Sequence, residues 1–220
     1  MAEANLEQRL KALENENQSL REEVVRLKAD NRRWARLAGT DALTGLPNKI
    51  SFLRILVPQC IRRAFDAGDS VGFVLLSADN LGPVNETHGR VAGDQVLKGL
   101  GIFLKSFLDE KDHLGHIDGS NFSVVLAPAG IDDARGRANM LRARVRAHTF
   151  PCGDATAQIT VSAGVAAAMP AGGVDEKLLT EKVFQSLSEA LYVAKTSGGN
   201  QVEVAQEIDP LSYLGKEVSQ

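Results

Sequence analysis

From Leu6 to Trp34 an apolar residue or an asparagine recurs at alternating intervals of three and four: Leu6, Leu10, Leu13, Asn17, Leu20, Val24, Leu27, Asn31 and Trp34. A stripe of that period runs straight along a helix and is covered only by a second helix, so this stretch predicts a coiled coil. With Leu6, Leu13, Leu20, Leu27 and Trp34 at d, the a positions hold Leu10, Asn17, Val24 and Asn31. Leucine at d with asparagine at a favours two parallel strands, the asparagine fixing register at some cost in stability. The flanking charges agree. In a parallel dimer Arg9 faces Glu14 of the partner helix, Glu16 faces Arg21 and Glu23 faces Lys28, each pair opposite in sign. A single solvated helix lying on its own domain is the alternative, but it needs no asparagine in its seam.

The rest of the chain alternates between helical and strand periods. Gly39, Thr40 and Asp41 interrupt the seam helix. The spacing then predicts a helix over 48–67, a buried strand over 71–79, one helix over 85–108, a hairpin of strands 113–117 and 121–127, a helix over 132–148, a strand over 158–168, a helix over 176–195 and a short strand over 201–204. Helices mixed with a hairpin predict an α+β domain around a partly antiparallel sheet. The expected organisation is a coiled coil over 1–37, a globular domain over 38–205 and a polar tail over 206–220.

Composition narrows the function. The 220 residues are 44% hydrophobic, enough for one domain with a sizeable core and an appendage. Twenty-five basic and 28 acidic residues give a formal charge of −3 with no basic stripe, so no nucleic-acid partner is expected. No apolar run reaches the length of a membrane span, and the polar start does not read as a secretory leader, so the cytoplasm is expected. Cys60 and Cys152 lack metal-ligand or disulfide spacing and are expected to be buried thiols.

Four segments in order resemble the GGDEF domains, diguanylate cyclases that join two GTP molecules into cyclic di-GMP. DALTGLPNK is similar to the family's DxLTGLxNR opening, SADNLGPVNETHGRVAGDQVL to its DIDxFKxINDxxGHxxGDxxL segment, ITVSAGVA to TxSxGVA, and ALYVAKTSGGN to ALYxAKxxGRN. The resemblance covers residues 41–204 and implies a palm-like α+β fold with a central sheet of about five strands. The RYGGDEF hairpin falls on His116, Ile117, Asp118, Gly119, Ser120, Asn121 and Phe122, so Ser120 and Asn121 stand where the family has acids. The first aspartate of DIDxFK is Ser77, its lysine is Gly82, and the arginine of GRN is Gly199. Magnesium takes hard, preferably charged oxygen ligands, and serine and asparagine supply no charge. The aligned product-binding RxxD reads Asp109, Glu110, Lys111, Asp112, without its arginine.

The resemblance places the guanine-reading pair on Asn85 and Asp94 and a phosphate-facing cation on Lys195. Their plainer roles are a helix cap, an exposed acid and a helix-end cation. The histidines at 88, 113, 116 and 148 are expected in surface or structural roles. The expected function is therefore a protein that is not an enzyme and holds no cofactor or metal. It would be a parallel homodimer acting as a scaffold or regulator for an unidentified protein partner in bacterial signalling or cell organisation. The alternatives are a guanine-nucleotide sensor that binds GTP weakly at Asn85, Asp94 and Lys195, or a residual cyclase whose metal ligands are displaced to Asp79 and Asp118.

Overall fold

The structure is a computed structural model and describes residues 9, 11, 13, 15–24, 26–27, 39–169 and 173–206. It comprises two units, 1–40 and 41–220. In the first, the described residues from 9 to 27 are helical. Leu13, Leu20, Val24 and Leu27 stand 46–58% exposed in the single chain. Leu6, Leu10, Asn31 and Trp34 of the seam, and the tail beyond 206, lie outside the described residues.

The second unit opens with α1 (Lys49–Ser51), which runs through a π-helical turn (Phe52–Leu56) into α2 (Val57–Ala67). There follow β1 (Val71–Ala78), α3 (Leu81–His88), α4 (Arg90–Lys105), β2 (His113–Asp118), β3 (Asn121–Leu126), α5 (Ile131–Arg146), β4 (Phe150–Cys152), β5 (Ala155–Ala157), β6 (Val161–Ala168), α6 (Glu176–Thr196) and β7 (Val202–Val204). The main sheet has five strands in the order β2-β3-β1-β6-β7, antiparallel except for the β6–β7 pair. β4 and β5 form a separate small hairpin.

β1 takes the centre because it is apolar on both faces. Every residue from Val71 to Ala78 is buried. Val74, Leu76 and Ala78 enter one core with Val96, Leu100 and Leu104 of α4 and Ala138 and Leu141 of α5. Val71, Phe73 and Leu75 enter the other with Val57 and Ile61 of α2 and Leu179, Val183 and Leu187 of α6. A strand covered on both sides reads as a continuous apolar run, which is why the sequence marks it so clearly. Cys60 lies in the second core, and burial pushes its thiol up to about 11, which fits an unreactive packing residue.

Two expectations change. The single helix over 85–108 is two, because Gly89 sits at φ 82° between α3 and α4, a conformation that a side chain resists. The β4–β5 hairpin was not foreseen, since strands of three residues are too short to show alternation.

α6 lies close on the sheet at Gly164 of β6, where an added Cβ would come within 2.3 Å of the Leu187 carbonyl oxygen and 2.8 Å of the Leu191 nitrogen. Backbone cannot yield as a flexible side chain can. Gly164→Ala is expected to destabilise the domain by about 1–3 kcal/mol in urea unfolding, and a stability equal to that of the native chain would show that α6 can lift off β6 at no cost.

Candidate functional site

The carboxyl end of β1, the α3–α4 segment, the β2–β3 turn and the loop after α6 surround a cleft of about 1020 Å³. Asn85, Asp94 and Lys195 all line it, so three residues separated by up to 110 positions in the chain converge on one cavity. Arg90 lines it too and was missed. Its only signal was its place four residues before Asp94, on the helix that carries that acid.

The floor is where this chain departs from the family pattern. β1 and β3 pair with Ser77 opposite Asn121, and the Ser77 and Ser120 hydroxyls lie 3.0 Å apart, hydrogen-bonded to each other. Ser77 is fully buried. Two carboxylates this close would repel, whereas two hydroxyls satisfy each other without charge. The turn between the strands is carried by Gly119 at φ 47° and closed by Asp118, which accepts a hydrogen bond from Asn121 Nδ2 at 2.6 Å and faces Lys49 Nζ at 3.6 Å. Phe122 is wholly buried in the core.

Asp79 is committed elsewhere. Its carboxylate accepts hydrogen bonds from Thr160 Oγ1 at 2.8 Å, from Ser162 Oγ at 2.9 and 3.1 Å, and from the Asn200 backbone N–H at 3.0 Å. Gly199 stands 3.4 Å from the same carboxylate, measured from where a Cβ would be. Asp79 and Asp118, considered from the sequence as a displaced metal pair, are thus held by separate partners, Asp79 by the start of β6 and the Asn200 loop and Asp118 by Asn121 and Lys49. The two-magnesium set that the family implies does not fit the residues present. Among the described residues no three His, Cys, Asp or Glu side chains gather to hold an ion, and the floor offers hydroxyls in place of charged oxygens.

His116, at the start of the hairpin signature and expected in a surface or structural role, is the second residue whose contacts the sequence did not signal. It is buried and lines the cleft. Its Nε2 donates to the Gly119 carbonyl at 2.9 Å, its ring stacks on Phe122 with centroids 4.7 Å apart, and its Nδ1 lies 2.8 Å from Asp41 Oδ1. Asp41 also accepts from the Thr44 N–H and hydroxyl, both at 2.8 Å. Burial raises the Asp41 carboxyl, but the contacts with His116 and Thr44 outweigh it and leave the group below its usual value.

At the Asp109–Asp112 segment both acids are paired with a cation of α5. Arg137 donates to Asp109 Oδ2 at 2.8 Å and pairs with Asp112. The hydrogen bond to Asp109, together with the charges of both acids, raises Arg137 against the opposing effect of burial.

A family model described as "Diguanylate cyclase, GGDEF domain" matches residues 38–201. The chain belongs to the GGDEF family. It is 33% identical over 166 residues to diguanylate cyclase DgcP of Pseudomonas aeruginosa, covering 76% of this chain and 24% of DgcP. It is 32% identical over 168 residues to the response regulator PleD of Caulobacter vibrioides, covering 76% of this chain and 36% of PleD. The chain thus spans only a quarter to a third of these relatives' length. Among solved structures, the coiled coil and GGDEF domain of DgcB from Caulobacter crescentus, in complex with c-di-GMP, superposes with a TM-score of 0.73 at 23% identity, covering 88% of this chain and 99% of that one. Diguanylate cyclase SiaD of Pseudomonas aeruginosa, in complex with its activator SiaC, gives a TM-score of 0.67 at 28% identity, covering 90% and 78%.

These findings correct one expectation outright. The chain was expected not to be an enzyme, yet the GGDEF family is an enzymatic one and relatives at this identity are named diguanylate cyclases. The expectation rested on a few side chains, Ser77, Ser120 and Asn121, and those substitutions stand inside an enzyme family whose fold the chain shares. No helix among the described residues is long and apolar enough to cross a membrane.

The lowered carboxyl of Asp41 carries a pH dependence. A carboxylate whose folded value lies below its unfolded value of about 3.9 adds stability that is complete above that value and is lost as pH falls through the folded one. Acid unfolding of the native chain is therefore expected to steepen below about pH 4, and Asp41→Asn should flatten that limb. An identical acid limb in both proteins would show that the His116 contact carries no stability.

Proposed function

We propose that this domain binds a guanine nucleotide in its cleft and, as a parallel dimer within cyclic di-GMP signalling, conveys the occupancy of that cleft to a protein partner. The observation that carries the nucleotide part is the convergence of Asn85, Arg90, Asp94 and Lys195 on one cleft. Guanine offers an acceptor at O6 beside donors at N1 and the 2-amino group, and adenine presents the reverse pattern at the matching edge. A carboxylate accepts two hydrogen bonds and an amide nitrogen donates, so Asp94 with Asn85 complements guanine. Arg90 and Lys195 supply charge for phosphates in place of the cations absent at Gly82 and Gly199.

With hydroxyls at Ser77 and Ser120, GTP is expected to bind with little dependence on magnesium. Calorimetry on the full chain should give an affinity for GTP at least about tenfold above that for ATP, and Asp94→Ala should remove it. Absence of heat at millimolar GTP would end the nucleotide reading. Cyclic di-GMP released in the same mixture would identify the bound GTP as substrate, and binding without release would identify it as signal.

The partner part draws support from the N-terminal helix and from SiaD, a relative of similar extent crystallised with a protein activator. Leu13, Leu20, Val24 and Leu27 lie along one apolar seam that a single chain leaves exposed, and the opposite-sign pairs of residues 9 to 28 suit a second parallel copy. Two domains held at the same end of a coil would meet a two-fold partner together and gain avidity without a new contact. Light scattering should give a dimer for the native chain and a monomer for Leu13→Lys combined with Leu20→Lys. A cysteine at position 13 should cross-link to its own copy, and a cross-link to a distant position instead would rule out the parallel arrangement.

A further inference from the structure

Gly93 of α4 is buried, lines the cleft and immediately precedes Asp94. A Cβ at this position would fall 1.8 Å from Asn85 Oδ1, 2.9 Å from its Cγ and 3.4 Å from its Nδ2. The Asn85 amide is thus seated oxygen-first against a place where no side chain stands. That same oxygen is buried and has no hydrogen-bond partner. A buried acceptor without a partner is a cost to the fold, and such costs collect where function requires a particular pose.

We infer that Gly93 is a positioning residue for base recognition: its missing Cβ admits the Asn85 oxygen into α4 and so leaves the amide nitrogen, a donor, as the atom shown to the nucleotide. This rests on the nucleotide reading above and adds a determinant that touches no ligand. A donor from Asn85 suits O6 of guanine. Any side chain at 93 expels the oxygen, and the amide must then swing out of place or present its acceptor to another acceptor.

The geometry also reverses an ordinary expectation about stability. Alanine in a helix interior is normally more stable than glycine. Here the added methyl has no room while Asn85 is present, and ample room once its amide is removed. Gly93→Ala should therefore lower the melting temperature of the native chain, yet raise it when introduced into Asn85→Ala.

The decisive experiment combines that cycle with base selectivity. The native chain, Gly93→Ala, Asn85→Ala and the double variant are melted, and each is titrated with GTP and with 6-thioguanosine triphosphate, in which a larger sulfur replaces the position-6 oxygen and accepts hydrogen bonds more weakly. The native chain is expected to prefer GTP. Gly93→Ala should bind GTP about tenfold more weakly and lose the preference, matching Asn85→Ala, and the double variant should be no worse than either. Native binding of GTP with an unchanged preference in Gly93→Ala, or a melting temperature that rises in both backgrounds, overturns the assignment alone. No GTP binding by the native chain overturns the nucleotide reading and this assignment with it.

Discussion

One carboxylate fixes the geometry of the cleft. Asp79 follows the central strand, and its oxygens take hydrogen bonds from Thr160 and Ser162 at the start of β6 and from the Asn200 backbone beyond α6. Its own N–H donates to the Thr160 carbonyl at 2.8 Å. Three separate segments are therefore gathered at the end of β1. Asn200 adopts φ 51°, and Arg142 of α5 holds its carbonyl and side-chain oxygens at 3.1 and 3.2 Å. The loop that closes the cleft beside Lys195 is pinned from both sides. Charge-assisted hydrogen bonds of this kind are stronger than neutral ones, and a site built on them keeps its shape without a ligand.

How much of this the sequence disclosed follows from the range of each interaction. β1 was legible because burial on two faces writes an unbroken apolar run, and α6 because its apolar residues keep helical spacing; the structure adds Asp175 as its cap, accepting from the Lys177 and Leu178 N–H groups at 2.9 and 3.1 Å. The convergence of Asn85, Asp94 and Lys195 was legible only through the family resemblance, since no local period places a residue of α6 beside two from the α3–α4 segment. The partners of His116 and Arg137 were not legible at all. Their roles depend on Asp41, and on Asp109 and Asp112, across gaps of 75, 28 and 25 residues. Spacing rules operate within one element and have no purchase on such pairs. The break at Gly89 lay between, since a glycine inside a helical pattern is often tolerated and only its positive φ makes it a boundary here.

The substitutions at 77, 120 and 121 acquire a consistent sense when charge is followed around the cleft. Removing three carboxylates from a metal site without replacement would strand cations; here the lysine and arginine of the family pattern are absent as well, at Gly82 and Gly199. Of the carboxylates that remain nearby, Asp41 faces His116, Asp79 is consumed by hydrogen bonds, and Asp118 is drawn to Lys49 on the outer side of the turn. Asp94, by contrast, is exposed on the cleft wall. An exposed acid and two cations, Arg90 and Lys195, about the same cavity are the charges that the proposed nucleotide ligand would meet.

The serine pair shows how such a floor remains stable after losing its acids. Ser77 lies wholly buried between β3 and β6, opposite Asn121 on one side and Ser162 on the other. A lone hydroxyl there would be an unpaired polar group, with a cost comparable to a lost hydrogen bond. Ser120 on the neighbouring turn removes that cost, since each hydroxyl can donate or accept. The two positions are therefore coupled, and a carboxylate restored at only one would sit 3 Å or so from a hydroxyl able to donate to it, a tolerable arrangement. Carboxylates at both would repel unless a cation entered between them. Either the neutral pair or the fully charged pair with its metal is self-consistent, and the chain has the neutral one.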